Sequence, residues 1–215
     1  PHATIPSVMA AAKAVLNESQ IENGVAVVDV GGATTSVAVF EEGDLQYVGV
    51  VSMGGVNITN DLAIGLKTDP EVAEKVKLQH SAAIARSETR KVSIKHEKET
   101  LFFDQAEIDE IVEARLEEIF ELVNKELKKA GRAGQLPSGA VLTGGTANLK
   151  GIAEYAKSQL GVAARVGKPH GFGGVADEID KPHFAAAVGL MLVDAEAATV
   201  RPHGGNTSKK SGGFI

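Results

Sequence analysis

The segment V-A-V-V-D-V-G-G-A-T-T-S-V-A-V-F, residues 25–40, decides the fold. Residues 25–30 are a short, continuous apolar run rich in β-branched side chains, which predicts a buried strand, and residues 35–40 predict a second strand. Only a glycine-rich turn separates the two runs, so we expect a hairpin. Another turn at residues 42–44 leads into a third predicted strand, residues 45–52. The three strands form an antiparallel meander with the glycine turn at one end.

Helical patterns flank this meander on both sides. Residues 5–16 carry small and apolar side chains at helical spacing, which predicts a helix, followed by a polar break that ends at Gly24. After the third strand, residues 57–61 offer several N-cap side chains for a helix through L-A-I-G-L. The tripeptide T-D-P at residues 68–70 begins the next helix, because proline is favoured just inside a helix start.

The second half of the chain alternates strands and helices. The longest predicted helix, about residues 105–130, is indicated by an apolar stripe at i, i+3/i+4 spacing. The stripe comprises Ile108, Ile111, Val112, Leu116, Ile119, Phe120, Val123 and Leu127. The other predicted elements are a hairpin at 91–95 and 100–103, strands at 139–142 and 163–167, helices at 148–159 and 183–198, and a polar tail. The pattern predicts an α/β sheet interrupted by an inserted module of helices and a hairpin, residues 53–138.

Composition excludes several classes of function. The 215 residues suit one large domain or two small lobes. A formal net charge of -6 offers little counterion release on nucleic acid, so we expect no nucleic-acid partner. The absence of cysteine excludes disulfides and cysteine-based zinc sites. The six histidines lack the spacing of metal ligands, and no apolar run approaches the roughly 20 residues of a membrane-spanning helix.

The glycine turn is the first motif that carries chemistry. Asp29 ends a buried strand, Gly31 and Gly32 make the turn, and Thr34 and Thr35 open the next strand. Glycines let backbone N–H groups approach an anion without a side-chain clash, and threonine hydroxyls can add hydrogen bonds to phosphate. A carboxylate at the strand end can hold Mg²⁺ directly or through water. The alternative is a plain β-hairpin turn that is rich in glycine.

A second glycine pair, in T-G-G-T-A-N at residues 143–148, follows another predicted buried strand. This is the carboxyl end of a strand in an α/β sheet, where ligands usually bind. Backbone of this kind can lie flat against a base and a ribose, which would make the segment part of a nucleotide site. The alternative interpretation is a tight strand-to-helix connection without a ligand. We expect this motif and the glycine turn to face one cleft, which makes the pair stronger evidence than either motif alone.

The third motif is the pair Glu74 and Lys77 in A-E-K-V-K. The two residues are three apart and therefore share one face of a predicted helix. A carboxylate and an ammonium group side by side could hold ribose hydroxyls or the edge of a base. An ordinary surface ion pair is the alternative.

The order of these motifs resembles that of the actin and Hsp70 superfamily, and within it the FtsA family of bacterial cell division proteins. The resemblance rests on G-V-A-V-V-D-V-G-G-A-T-T, M-G-G-V-N-I-T-N-D-L-A-I-G-L, A-E-K-V-K, A-R-L-E-E-I-F-E-L-V, G-A-V-L-T-G-G-T-A-N-L and P-H-F-A-A-A-V-G-L, which together extend over residues 24–190. The glycine turn is similar to the superfamily's second phosphate loop and residues 143–146 to its adenosine loop. Glu74 and Lys77 are similar to its adenosine-contacting pair.

The resemblance implies an α/β fold, a ribonuclease-H-like, actin-type sheet with an inserted α+β subdomain. The sheet, subdomain 2A, is expected at residues 23–55 and 138–196, and the insertion, subdomain 2B, at residues 56–137. Residues 1–22 would end a preceding subdomain, 1A, and residues 197–215 would form a disordered tail. A first phosphate loop is then expected ahead of this chain. The tail stops where the family carries its amphipathic membrane helix, and the five residues from 211 are too few to form one.

For function, the resemblance implies an ATP-binding, actin-like protein that polymerises into filaments and links the FtsZ ring to the inner, cytoplasmic face of the cell membrane. The implied cofactors are ATP and Mg²⁺, and the FtsZ C-terminal tail is expected to bind residues 56–137. Membrane contact would be made only through the C-terminal helix that this chain lacks. The implied nucleotide-binding residues are Asp29, which would also hold the metal, Gly31, Gly32, Thr34, Thr35, Glu74, Lys77, Gly144, Gly145, Thr146 and Asn148.

Two residues depart from the family's D-x-G-G-G-T-T-D loop. Ala33 stands in place of the third glycine and Ser36 in place of the final acid. We therefore expect at most a weak ATPase.

The alternatives within the superfamily are a chaperone, a small-molecule kinase or a type IV pilus assembly protein. A chaperone would carry a peptide-binding domain after the last helix, and a kinase a catalytic acid in a substrate cleft.

Overall fold

The computed structural model describes residues 4–84, 90–173 and 179–200, with side chains described up to residue 198. Its strands are β1 (Val25–Val30), β2 (Thr35–Glu41), β3 (Asp44–Val51), β4 (Lys91–His96), β5 (Glu99–Asp104), β6 (Ala140–Thr143) and β7 (Ala164–Val166). Its helices are α1 (Ser7–Val15), α2 (Glu18–Asn23), α3 (Gly55–Gly65), α4 (Pro70–His80), α5 (Gln105–Lys129), α6 (Ile152–Leu160) and α7 (Ala185–Val200).

The larger of two sheets has the strand order β3-β2-β1-β6-β7. Its first three strands form the predicted antiparallel meander, and β6 and β7 add to it in parallel. A parallel neighbour needs a long crossover connection, and the inserted module supplies the one between β3 and β6. The register places Asp29 of β1 beside Thr143 of β6. The glycine turn after β1 and the glycine pair after β6 therefore leave the sheet at the same edge.

The two faces of this sheet pack against different helices, because successive side chains of a strand point to opposite faces. Val28 belongs to the larger of two hydrophobic clusters, which includes the inserted module and α6. Val27 belongs to a second cluster, formed with α1 and α7. Helix α7 lies so close to α1 that a Cβ added at Gly189 would be 1.7 Å from the Ala10 carbonyl oxygen. The small residues of α7 thus allow a close approach to another helix.

The described residues of the inserted module share the larger hydrophobic cluster with the sheet. The predicted apolar stripe of α5 is buried, with Ile111 only partly so. Phe120 of α5 meets Tyr155 of α6 edge-on, with ring centroids 5.7 Å apart. Arg115 of α5 donates from Nη2 to Asp61 Oδ1 of α3 at 3.0 Å. The ring contact joins the module to α6, and the ion pair joins two helices within the module.

Two helices near the sheet differ from the prediction. The polar break after α1 contains the short helix α2, because Asn17 and Gln20 form a capping box. The Gln20 N–H donates to Asn17 Oδ1 at 2.9 Å, and the Asn17 N–H donates to Gln20 Oε1 at 3.2 Å. Helix α3 begins at Gly55, so the predicted N-cap residues 57–61 lie inside its first turns. Asn57 caps it from within, accepting the N–H of the residue before the helix at 2.9 Å.

Two further boundaries differ in the second half of the chain. The helix predicted from residue 148 is a 3-10 turn, Gly145–Asn148, followed by α6. Gly151 separates the two with a left-handed backbone, φ 80°. Helix α7 extends to Val200, so the predicted tail is wrong for residues 197–200, and its remainder lies outside the described residues. Within the described ranges, no helix combines the length and the apolar character needed to cross a bilayer.

Candidate functional site

A cleft of about 520 Å³ lies between the glycine-turn edge of the larger sheet and helix α4. Its lining residues come from the glycine turn, the start of α3, the second half of α4 and the segment after β6. They are Gly31, Gly32, Gly55, Val56, Glu74, Lys77, Leu78, Gln79, Ser81, Gly145, Thr146, Asn148, Leu149 and Lys150. All three motifs of the sequence therefore contribute to one cleft. The predicted residues Asp29, Thr34, Thr35 and Gly144 are not among those that line it.

The glycine turn is held by its carbonyl groups, which face helix α3. The N–H groups of Gly55 and Val56 donate to the carbonyl oxygens of Gly31 and Gly32 at 2.9 and 2.8 Å. These donors belong to the first turn of α3, where N–H groups lack partners within the helix. In the described part of the chain, no backbone carbonyl accepts from the N–H groups of residues 32–34. Successive N–H groups of this kind form an anion-binding turn.

Asp29 lies behind the turn, at the end of β1. The Thr143 hydroxyl donates to Asp29 Oδ1 at 3.2 Å. Burial raises the pKa of Asp29, and the Thr143 hydrogen bond offsets only part of that rise. Gly144 is required beside it, because a Cβ there would lie 2.7 Å from Asp29 Oδ1 and 2.4 Å from the Val30 carbonyl oxygen. The sheet edge thus presents a carboxylate that is poorly solvated and gains from a nearby cation.

Among the described residues, the groups around Asp29 do not form a closed metal site. Residues 4–84, 90–173 and 179–200 contain no cluster of three or more His, Asp or Glu side chains able to hold a metal. Mg²⁺ commonly uses one or two carboxylates together with water and the phosphates of a substrate. Asp29 would supply the carboxylate in such an arrangement.

The two threonines of the turn occupy different positions. Thr34 is exposed, and its carbonyl oxygen accepts from the Gly31 N–H at 2.9 Å. Thr35 is fully buried, and its hydroxyl donates to the Met53 carbonyl oxygen at 2.8 Å. Thr35 therefore holds the segment that leads into α3, and the structure does not bring its hydroxyl to the cleft.

Glu74 and Lys77 form a partly buried pair on the α4 side of the cleft. Lys77 Nζ lies 2.7 Å from Glu74 Oε2, and the Lys77 side chain is 13% exposed, against 42% for Glu74. Lys77 also donates to the Gly55 carbonyl oxygen at 3.0 Å and to the Thr59 hydroxyl at 2.8 Å. Burial alone would raise the pKa of Glu74, but hydrogen bonds from Lys77 and Thr59 and the charge of Lys77 outweigh it. The pKa of Glu74 therefore lies below its ordinary value.

The segment after β6 forms the remaining wall as the 3-10 turn Gly145–Asn148. The Thr146 hydroxyl donates to the Gly31 carbonyl oxygen at 3.5 Å, which joins this wall to the glycine turn. Asn148 Nδ2 donates to the Gly145 carbonyl oxygen at 2.9 Å and lies 3.2 Å from His183 Nδ1. Gly145 is open toward the cleft, with nothing within 4 Å of an added Cβ.

Some lining residues belong to none of the three motifs. They are Gly55, Val56, Leu78, Gln79, Ser81, Leu149 and Lys150. Leu78 and Ser81 follow Glu74 at i+4 and i+7, so the helical period could have found them. Leu149 and Lys150 carry no such signal. They reach the cleft because the Ala83 N–H donates to the Lys150 carbonyl oxygen at 2.8 Å, which closes the end beyond α4.

The fold is that of actin-like proteins. MreB5 of Spiroplasma citri bound to ADP matches with a TM-score of 0.72 over 90% of this chain and 60% of that one, at 16% sequence identity. The MamK double helical filament matches with a TM-score of 0.66 over 91% of this chain and 59% of that one, at 17% identity. At these identities the likeness establishes the fold alone. The predicted actin-type α/β sheet with a second, smaller sheet is confirmed.

The sequence also matches a known family. The family model for cell division protein FtsA matches residues 26–189, a range that contains all three cleft motifs. Cell division protein FtsA of Bacillus subtilis (strain 168) is 39% identical over 197 residues, which are 90% of this chain and 43% of that protein. The chain spans about half the length of the curated relatives it matches. With the actin-like fold and the cleft motifs inside the matched range, this chain belongs to the FtsA family of cell division proteins.

Proposed function

We propose that this chain binds ATP with Mg²⁺ in the cleft, as the nucleotide-binding part of an actin-like cell division protein. The observation that carries the proposal is the meeting of three separate sequence motifs around one cleft of about 520 Å³. The size suits a small ligand, since ligand pockets commonly measure about 300–1,000 Å³. The structure of MreB5 bound to ADP supports the choice of an adenine nucleotide.

Each wall would hold a different part of the nucleotide. The N–H groups of Gly32, Ala33 and Thr34 would hold the β- and γ-phosphates in a turn that Gly31 closes, and Asp29 would hold Mg²⁺ directly or through water. Thr35 would support the turn through its bond to the Met53 carbonyl. Glu74 and Lys77 would form the ribose side. The adenosine would lie against the segment after β6, which comprises Gly144, Gly145, Thr146 and Asn148.

Replacing the carboxylate behind the turn tests this assignment. In the intact protein, Asp29→Ala is expected to lower the affinity for Mg-ATP at least about tenfold, because the metal loses its protein ligand. Calorimetric titration with ATP, with and without Mg²⁺, measures the effect. Asp44→Ala, which removes an exposed carboxylate at the start of β3, is the matched control. Unchanged nucleotide binding by Asp29→Ala would refute the site, and an equal loss with and without Mg²⁺ would refute the metal role.

We further propose that the whole protein links the FtsZ ring to the inner face of the cell membrane and assembles into filaments. Membership of the FtsA family supports this over a chaperone, a kinase or a pilus assembly protein. The MamK double helical filament, which shares the fold, supports self-association. Ala33 and Ser36 in the phosphate turn lead us to propose at most weak ATP hydrolysis.

We propose that the FtsZ C-terminal tail binds the inserted module, residues 56–137. Exposed apolar side chains there offer a contact surface, and Phe102 is 66% exposed. Co-sedimentation with FtsZ, together with fluorescence anisotropy of an FtsZ tail peptide, tests the location. Phe102→Ala is expected to weaken binding several-fold, at the scale of one lost apolar contact. Val50→Ala, which truncates a 60% exposed valine on β3 outside the module, should leave binding unchanged. If Val50→Ala weakens binding and Phe102→Ala does not, the FtsZ tail binds the sheet and not the inserted module.

A further inference from the structure

We propose that Thr59 is a positioning residue for the ribose side of the cleft: its hydroxyl fixes the Glu74 carboxylate so that one carboxylate oxygen faces the nucleotide. The inference rests on the proposed ATP function. Thr59 lies on α3, is only 7% exposed and does not itself line the cleft. No motif of the sequence assigns it a role at the nucleotide.

The Thr59 hydroxyl lies between the two charged side chains of the α4 wall. It accepts from Lys77 Nζ at 2.8 Å and is hydrogen-bonded to Glu74 Oε2, to which it donates. A hydroxyl has one hydrogen to donate and lone pairs to accept. The hydrogen goes to the Glu74 carboxylate, which is charged and nearer than the other acceptor, the Gly55 carbonyl oxygen at 3.2 Å, and the lone pairs accept from Lys77. A buried hydroxyl that donates to a carboxylate also favours the ionised form of that carboxylate. Thr59 therefore orients Glu74 and helps to keep it charged.

The same contacts give Glu74 and Lys77 unequal roles. Lys77 Nζ has the Gly55 carbonyl, the Thr59 hydroxyl and Glu74 Oε2 as partners. An ammonium group has three N–H donors, so these protein atoms occupy all of them. Glu74 Oε2 is engaged by Thr59 and Lys77, which leaves Oε1 for a ligand, on a side chain that is 42% exposed. Glu74 is therefore the contact residue, and Lys77 supports it together with Thr59.

The position of Glu74 along the cleft indicates which part of the nucleotide it meets. Lys77 touches the carbonyl of Gly55, whose N–H is bonded to the glycine turn, so Lys77 is joined to the phosphate end of the cleft. Glu74 lies one helical turn from Lys77 on α4 and meets Thr59, which is one turn beyond Gly55 on α3. Glu74 is therefore one turn away from the phosphate end, and the vicinal hydroxyls of a ribose are donors that match its free oxygen.

The test compares ATP with 2′,3′-dideoxy-ATP, which lacks both hydroxyls. Calorimetry with the intact wild-type protein in Mg²⁺ buffer should show tighter binding of ATP. Thr59→Val keeps the branched shape and removes the hydroxyl, and it should weaken ATP binding about five-fold with little change for the dideoxy analogue. Thr59→Ser keeps the hydroxyl and should restore the preference for ATP. Thr100→Val, at an exposed threonine of β5, is the matched control and should bind both ligands as the wild type does.

Each outcome separates this inference from the proposed function beneath it. If the intact wild-type protein binds no ATP, the nucleotide function itself fails. If it binds ATP and the dideoxy analogue equally, the ribose contact fails without any variant being needed. If Thr59→Val keeps the wild-type preference, or loses affinity for both ligands to the same extent, Thr59 does not position Glu74 and the inference is overturned.

Discussion

The cleft has two walls that are built in different ways. The sheet wall, formed by the glycine turn and residues 143–148, is shaped by backbone, whose carbonyl groups bond to α3 and whose spacing leaves no room for a Cβ at residue 144. The helix wall, where Glu74 and Lys77 line the cleft and Thr59 lies behind them, is shaped by charged and hydroxyl side chains. The sheet wall should therefore be sensitive to added atoms at any pH, and the helix wall to changes of charge.

The largest expected effect on stability is on the sheet wall, where alanine substitutions at two neighbouring glycines should differ strongly. Gly144 has φ 86° and ψ 175°, a conformation that is almost restricted to glycine, and its Cβ would lie 2.4 Å from the Val30 carbonyl oxygen. Gly144→Ala should lower the free energy of unfolding by about 3 kcal/mol. Gly145→Ala, with nothing within 4 Å of its Cβ, should change it by less than about 0.5 kcal/mol. Urea unfolding of both variants measures the difference, and equal losses would show that backbone spacing does not limit this wall.

The sheet wall was also the part of the site that sequence predicts best. A β-branched run, a glycine turn and another β-branched run predict the hairpin of β1 and β2, because each signal is local. The second glycine pair could be placed at the same edge because parallel strands end together. What the sequence does not predict is the docking of the turn on α3. That contact joins Gly31 to Gly55 across the whole of β2 and β3, and nothing local signals it.

The helix wall shows the opposite limit of prediction. The i, i+3 spacing places Glu74 and Lys77 on one face of a helix, but it does not separate a surface pair from a buried one. The contacts of Thr59 show that the pair is partly buried, since Thr59 lies on a different helix and its hydroxyl is hydrogen-bonded to both side chains. The same reasoning applies to Thr35, whose position in the turn suggests a phosphate ligand although its hydroxyl bonds to the Met53 carbonyl. Tertiary contacts decide which group each of these hydroxyls bonds. The spacing of residues in the sequence does not show those contacts.

A smaller effect is expected on the helix wall, and it depends on pH. Burial raises the pKa of Glu74, but hydrogen bonds from Lys77 and Thr59 and the charge of Lys77 outweigh it, so the pKa lies below its ordinary value. A carboxyl with a lowered pKa in the folded state adds stability that is present above its unfolded pKa and is lost as pH falls through its folded pKa. Near neutral pH the wild-type chain should be more stable than Glu74→Gln by under about 1 kcal/mol, because solvent screens a side chain that is 42% exposed.

Unfolding by urea at a series of pH values from neutral to acid measures this difference between the walls. The advantage of the wild type over Glu74→Gln should shrink once the pH falls below 4.5, as the carboxyl takes up its proton. The loss in Gly144→Ala should stay constant over the same range, because a clash of backbone atoms does not titrate. If the stability difference between the wild type and Glu74→Gln persists unchanged in acid, the charge of Glu74 does not stabilise the helix wall.

The smallest expected effect returns to the sheet wall, at Ala33, where the family's glycine is missing. Among the described residues, positive φ outside glycine occurs only at Glu42, Lys67 and Glu97, so the Ala33 methyl causes no backbone strain. Ala33 is also exposed. Ala33→Gly should therefore lower the free energy of unfolding by about 0.5 kcal/mol, through greater freedom of the unfolded chain.

Nucleotide affinity should change less than about two-fold in Ala33→Gly, because the methyl does not distort the turn that presents the N–H groups. Calorimetric titration with Mg-ATP measures it beside the unfolding experiment. A tenfold gain in affinity would show that the methyl obstructs the phosphates. The size of side chain tolerated at residue 33 would then be set by contact with the ligand. At residue 144 it would be set by contact with the protein.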